Sequence, residues 1–138
     1  MFFIYSLIYI LLLPLLILRD LLTLDKNKLK TIQQKLGFNI SNVKNQTIWL
    51  HGVSLGEIKI LSPLAKKLSN QGQNILITST TNTGLEDLNK NFSNSDIKIL
   101  PFPYDLEFAH KKIIINFKVN KIILFESEFW PNLLNAAK

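Results

Sequence analysis

Residues Phe2–Leu18, FFIYSLIYILLLPLLIL, run without a single charge, and no other stretch restricts the fold so severely. A helix over that run reaches about 25 Å at 1.5 Å per residue, marginal against a hydrocarbon core of about 30 Å. Leu21, Leu22 and Leu24 carry the apolar character past the Arg19–Asp20 pair. Pro14 would kink the helix, which a membrane segment tolerates better than a soluble one. A cleaved signal peptide would need a positive leading region and a small-residue cleavage site; Met1 leads straight into Phe2, and no A-x-A-like site follows. A run apolar on every face seldom opens a small soluble domain. Residues 1–24 are therefore expected to be an uncleaved membrane anchor, either spanning or monotopic.

Charge sets its orientation. Arg19, Lys26, Lys28, Lys30 and Lys35 lie just beyond the run, and nothing basic precedes it except the α-amino group. The positive-inside rule then places the rest of the chain in the cytoplasm. Residues 25–36, DKNKLKTIQQKL, read as a short polar helix along the lipid headgroups, stopped by Gly37. With the residues up to 46 they make a juxtamembrane helix and linker.

With the head set aside, a chain of 138 residues has room for one ordinary domain at most. At 47% hydrophobic and 19% charged, the chain reads as globular. The absence of cysteine excludes disulfides, thiolate zinc sites and a cysteine nucleophile. His51 and His110 stand far apart without paired ligand spacing, so neither a metal site nor a cofactor is expected. The net charge of +6 comes almost wholly from lysine, Arg19 being the only arginine. Two readings of those lysines stand: attraction to anionic headgroups or a phosphorylated substrate, and a plain compositional bias towards Lys, Asn and Ile. The basic residues form no Arg-rich stripe interleaved with aromatics, so no nucleic-acid partner is expected.

From Thr47 the period changes. TIWLHGV (47–53), NILITST (74–80), IKILPF (97–102) and KIILFES (121–127) are short apolar, β-rich runs. Helical stretches separate them, from Ser54 to about Ser69, from Thr83 to near Phe92 and from Leu106 to Phe117, and another starts at Pro131. Pro63 sits inside the first of these, or else Ser62 caps a restarted helix. Alternating β and α elements with continuous apolar strands predict an α/β domain over 47–138, a Rossmann-like parallel sheet covered on both faces. Ligands of such sheets sit beyond the carboxyl ends of the strands. SLGE, TTNTG, PYD and ESEFWPN stand there, and polar residues, two glycines and several carboxylates are expected to converge.

Ser54-x-x-Glu57 has the spacing of a capping box, and Thr83-x-x-Glu86 repeats it on the next helix. Glu57 therefore has two readings. One is the cap; the other is a general base above the sheet, taking a proton from an attacking hydroxyl. Gly56 fits a tight turn or close approach by a ligand. TSTTNTG (78–84) offers hydroxyls, amides and a helix N-terminus to a phosphate or carboxylate, without the GK[ST] ending of a P-loop. Glu126 and Glu128 alternate along an extended segment, so one is expected to face the site while the other braces the fold.

HGVSLGE (51–57), ITSTTNTG (77–84), PFPYD (101–105) and FESEFWPN (125–132), in that order behind an apolar anchor, resemble the 3-deoxy-D-manno-octulosonic acid (Kdo) transferases of lipopolysaccharide assembly. The resemblance runs from the anchor to Lys138. It implies the N-terminal, acceptor-binding half of a two-domain GT-B glycosyltransferase, whose C-terminal half binds the nucleotide of the donor CMP-Kdo. It also implies inverting transfer of Kdo to a lipid A precursor, lipid IVA-like, at the cytoplasmic face of the inner membrane and without a metal. By the same resemblance Glu57 is the base and Glu126 stabilises the transition state, while Ser54, Gly56, Thr80, Thr81, Thr83, Gly84 and Glu128 bind acceptor. Gly52 and Phe129 depart mildly from the family pattern, where a small alanine- or serine-like residue and an aliphatic are usual. Because the chain stops at Lys138, the nucleotide-binding half is expected to be absent and this chain inactive alone. Two alternatives remain: the acceptor domain of another membrane-associated GT-B glycosyltransferase, and a non-catalytic membrane-bound remnant.

Overall fold

The structure, a computed structural model, describes residues 2–23, 27–126 and 129–138. Its elements in chain order are α1 (Phe2–Thr23), α2 (Lys28–Lys35), β1 (Thr47–Gly52), α3 (Leu55–Asn70), β2 (Asn74–Ser79), α4 (Asn82–Asn91), β3 (Lys98–Pro101), α5 (Glu107–Asn116), β4 (Val119–Leu124) and α6 (Pro131–Ala136). Two compact units divide these. Met1–Ile40, Pro103–Ile114 and Phe129–Lys138 form the first; Ser41–Phe102 and Ile115–Glu128 form the second.

The second unit holds a four-stranded, wholly parallel sheet in the order β3-β2-β1-β4. The class is the expected Rossmann-like α/β. All six residues of β1 are buried, as a central parallel strand requires. Alternate residues serve opposite faces. Ile48 and Leu50 join Ile58, Leu61 and Ala65 of α3, Ile75 and Ile77 of β2 and Leu88 of α4 in one apolar cluster. Trp49 and His51 occupy the other face and are fully enclosed. Trp49 Nε1 donates to Thr78 Oγ1 at 2.9 Å, and the His51 ring stacks on Phe102 with centroids 3.7 Å apart.

The structure settles one alternative that the sequence left open, and two local differences from its reading have physical causes. Helix α3 is continuous through Pro63, which lies exposed, so the carbonyl left without its amide partner four residues earlier belongs to the solvent side. The cap of α4 is Thr81 and not Thr83: the Thr81 hydroxyl accepts from Gly84 N–H at 3.2 Å, and Thr83 already lies inside the helix. Strand β4 ends at Leu124; Phe125 N–H still reaches His51 carbonyl at 3.0 Å, and Glu126 then adopts φ 60°. Alternation of Glu126 with Glu128 therefore breaks at Glu126, while Glu128 lies outside the described residues.

The first unit is tied together by two buried carboxylates. Asp20, near the end of α1, accepts from Lys35 Nζ at 2.6 Å, Tyr104 hydroxyl at 2.7 Å and Arg19 at 2.9 Å. Asp105 has more partners. Its Oδ2 accepts from Tyr5 hydroxyl at 2.8 Å and Asn132 N–H at 3.3 Å, and its Oδ1 meets His110 Nε2 at 2.8 Å and Leu133 N–H at 3.1 Å. Helix α6 carries Trp130 at its cap position, which makes no side-chain cap bond, so Asp105 supplies the missing acceptor from across the chain. Around these groups Ile32, Tyr104, Leu106 and Ala109 form a small core, against which Tyr9, Leu13, Leu16, Ile17 and Leu21 of α1 pack. Helix α2 contributes Ile32 and Lys35 to that interior and is not polar all round. Gly37, at φ +76°, brings the chain so close to α5 that an added Cβ would stand 3.1 Å from Ala109 backbone atoms.

Helix α1 is continuous through Pro14 and, at 22 residues, about 33 Å long. It packs one face into the first unit and leaves the other bare: Phe3, Leu7, Leu11, Leu15, Leu18 and Leu22 are all at least half exposed. Its length and a mean hydropathy of 2.0 meet the requirements of a membrane-crossing helix.

Asp105 offers a direct stability test. Burial opposes its charged form, but the bonds from His110 and Tyr5 outweigh this and hold the carboxyl below the usual carboxylate range. Since the folded-state pKa lies below the unfolded one, the stabilisation is complete at neutral pH and is lost as pH falls below about 4. Asp105→Ala is expected to cost about 3–5 kcal/mol, because it strands His110 and two helix amides. Guanidinium denaturation of the detergent-solubilised protein measures this, and Asp105→Asn should flatten the acid limb of stability.

Candidate active site

The strand order makes the site. From β1 the chain lays β2 and then β3 to one side, then returns to place β4 on the other flank of β1. The order reverses between β1 and β4, and the crevice beyond the carboxyl ends at such a reversal is where open α/β sheets bind ligands. Glu57 follows β1 and Glu126 follows β4, so the two carboxylates proposed from the sequence flank the switch point.

Glu57 is held tightly. Its Oε2 accepts Val53 N–H at 2.7 Å and its Oε1 accepts the Ser54 hydroxyl at 2.9 Å, while Ser54 Oγ takes the Glu57 amide at 3.3 Å. The capping spacing is real, but the carboxylate reaches one residue further back than in the usual box, where it would meet the Ser54 amide. Each carboxylate oxygen keeps a further lone pair for an acceptor hydroxyl. Gly56, in the same turn, is exposed and opens the approach.

The end of β2 lies directly beside this turn. Thr81 N–H donates to Val53 carbonyl at 3.2 Å and Ser79 hydroxyl to the same oxygen at 3.2 Å. Thr80 Oγ1 is enclosed and makes no hydrogen bond among the described residues. Thr83 is exposed, with only a long 3.5 Å contact to Thr81 Oγ1. Gly84 is buried, and a Cβ there would collide with the Ser79 side chain. The missing Cβ permits close helix–strand packing, which shapes the β2–α4 turn.

Glu126 is exposed, in the left-handed region that costs a non-glycine residue about 1 kcal/mol or more. Such conformations persist where the surroundings impose them, and they gather at functional sites. The structure thus brings Ser54, Gly56, Glu57, Thr80, Thr81 and Thr83 together on adjacent strand ends, with Glu126 on the other side of β1. Tyr104 and Asp105, expected among the strand-end groups, are instead committed to the interior of the first unit. His51 went unassigned in the sequence. It lies one residue before Gly52 with Nδ1 3.0 Å from Thr78 Oγ1, bracing the floor of the site, and its place between apolar Leu50 and Gly52 was the available signal. Among the described residues no three of His, Asp and Glu gather as a metal-ligand group.

The polar cluster stands at the switch point, where Rossmann-like α/β sheets bind their ligands. The chain belongs to the 3-deoxy-D-manno-octulosonic-acid transferase (kdotransferase) family, whose model matches residues 30–138. It is 38% identical over 114 residues to a bifunctional glycosyltransferase/methyltransferase of Fusobacterium nucleatum subsp. nucleatum, covering 80% of this chain and 18% of that protein. It is 34% identical to the 3-deoxy-D-manno-octulosonic acid transferase of Bordetella pertussis, covering 66% of this chain and 22% of the relative. The enzyme of the same name from Haemophilus influenzae is also 34% identical, over 75% of this chain and 25% of its own length. The chain thus spans about a quarter or less of these relatives.

The contact at Gly84 predicts a specific pair of outcomes. Gly84→Ala should destabilise the protein by about 1–3 kcal/mol through overpacking. Adding Ser79→Gly should recover much of that loss, and thermal denaturation of the single and double variants measures the coupling.

Proposed function

We propose that the full-length protein transfers Kdo from CMP-Kdo to a lipid A precursor of the lipid IVA kind, and that this chain supplies the acceptor side of an inverting GT-B glycosyltransferase. Family membership supports the Kdo chemistry. The observation that carries the site is the placement of Glu57 and Glu126 on either side of the β1/β4 switch point. In the proposed step the acceptor hydroxyl oxygen attacks the anomeric carbon of Kdo, and the bond from that carbon to the CMP phosphate oxygen breaks. The hydroxyl proton passes to the Glu57 carboxylate. Glu126 faces the positive charge that develops on the sugar as CMP departs. Ser54 and the Val53 amide fix the orientation of Glu57. Gly56, Thr80, Thr81 and Thr83 line the acceptor's approach and Gly84 sets the turn that carries them; Glu128 is assigned to acceptor binding by its E-x-E motif alone.

The protein works at the cytoplasmic face of the inner membrane, held by α1 and by membrane lipids around it. The attachments of α1 favour an in-plane helix over a spanning one. Tyr5 and Asp20 are both bonded into the first unit. Fifteen residues separate them, about 22 Å along the helix. A spanning α1 would carry the buried ionic partners of the first unit into hydrocarbon, at a cost of several kcal/mol each. Lying in one leaflet, it immerses Phe3, Leu7, Leu11 and Leu15 and keeps those partners at the surface.

Glu57→Gln separates the two readings of that residue, since the amide oxygen still accepts Val53 N–H while the base is lost. In the full-length enzyme, kcat is expected to fall about 100- to 10,000-fold with the melting temperature within a few degrees of wild type. Turnover with CMP-Kdo and lipid A precursor reads it, and near-normal activity would return Glu57 to capping alone.

A further inference from the structure

The first unit contains a groove that the proposed chemistry does not use. It has a volume of about 520 Å³ and is lined by Ser6, Ile10 and Leu13 of α1, Leu106, Glu107, Phe108 and Lys111 around the start of α5, and Asn132 of α6. That volume lies within the roughly 300–1,000 Å³ typical of small-ligand sites.

Its wall is chemically one-sided. Four lining residues are apolar, and the polar groups deeper in are already engaged: Ser6 hydroxyl donates to Asn132 Oδ1 at 2.7 Å, and Asn132 Nδ2 donates to Asp105 carbonyl at 2.6 Å. An occupant with a peptide backbone would need partners there; a hydrocarbon chain needs none. The rim carries an exposed pair, Lys111 and Glu107, 2.5 Å apart. Glu107 has a second partner in Asn135 Nδ2 at 2.7 Å, so its carboxylate stays bonded when Lys111 swings to another anion.

The groove is continuous with the bare face of α1. Ile10 lines it and is 53% exposed, and it stands three and seven residues from Leu7 and Phe3, on the same ridge of the helix. Phe108, also on the lining, is nearly half exposed. The groove mouth therefore lies along the flank where the docked side of α1 turns into its lipid-compatible side.

We propose that this groove holds one acyl chain of a bilayer phospholipid, with the Lys111 ammonium meeting its phosphate at the rim. The inference rests on the reading that α1 lies in lipid. It extends that reading from non-specific immersion to a defined seat that fixes a lipid against the protein.

The test is photolabelling of the intact chain in micelles with a long-chain alkyl phosphate bearing a mid-chain diazirine. Expected labels fall on Leu13, Leu106 and Phe108 as well as on the outward ridge. Ile10→Trp, which fills the groove from an exposed position, should lower labelling of Leu106 and Phe108 at least five-fold and leave Leu11 and Leu15 unchanged. Lys111→Gln should abolish the preference for alkyl phosphate over the matching alkyl alcohol and leave the chain's tryptophan fluorescence unaltered. Labels confined to Phe3, Leu7, Leu11 and Leu15, or groove labels indifferent to Ile10→Trp, would overturn the proposal. The in-plane reading is tested separately, by nitroxides at Phe3→Cys and Leu22→Cys in the cysteine-free chain. Equal depths in vesicles support it, and opposite sides of the bilayer refute it whatever the groove labels show.

Discussion

Parallel pairing of β4 to β1, on the flank away from β2, is the constraint on which the site depends. Parallel strands need crossover connections, so every turn that follows a carboxyl end emerges on one rim of the sheet. Reversing the strand order at β1 opens a gap on that rim, and the residues following β1 and β4 become its two sides. A glutamate on each side then follows from register alone: His51 pairs with Leu124, and Glu57 and Glu126 stand a few residues beyond. A common topology with two carboxylates at the right turns suffices for the proposed chemistry.

Rigidity at that rim comes from short bonds between neighbouring turns. The Val53 carbonyl receives both Thr81 N–H and Ser79 hydroxyl, and the Val53 amide is spent on Glu57. Val53 thus links the turn carrying the candidate base to the turn carrying the threonines. Gly84 lets α4 approach closely enough for this. In the first unit the same economy of contacts is reached differently, through Asp20 and Asp105. Each buries a charge and surrounds it with donors from distant segments, an arrangement costly to break and weak as net stabilisation.

The elements of the second unit were legible in the sequence because their signals are local. Apolar runs of six or seven residues and serine and threonine caps place its strands and helices within a few residues. The four ordered motifs together carry the family, which no single motif does. Asp105 was misplaced for the opposite reason. Its partners Tyr5, His110, Asn132 and Leu133 lie up to a hundred residues away, and no periodicity reports them. Read locally, a strand-end carboxylate looks available for chemistry; in the fold it caps a helix. Glu126 shows the same limit on a smaller scale, since a left-handed glutamate leaves no trace in an apolar alternation. The bare and docked faces of α1 were hidden as well, because a run apolar on every side does not reveal which side meets protein.

In the proposed reaction the acceptor meets the turns after β1 and β2. Amide hydrogen exchange with and without a lipid A precursor in mixed micelles tests it most directly. Slower exchange is predicted at Val53–Glu57 and Thr80–Gly84, with little change in the strands beneath them. Protection confined to α1, or no change at those two turns under saturating acceptor, would contradict it.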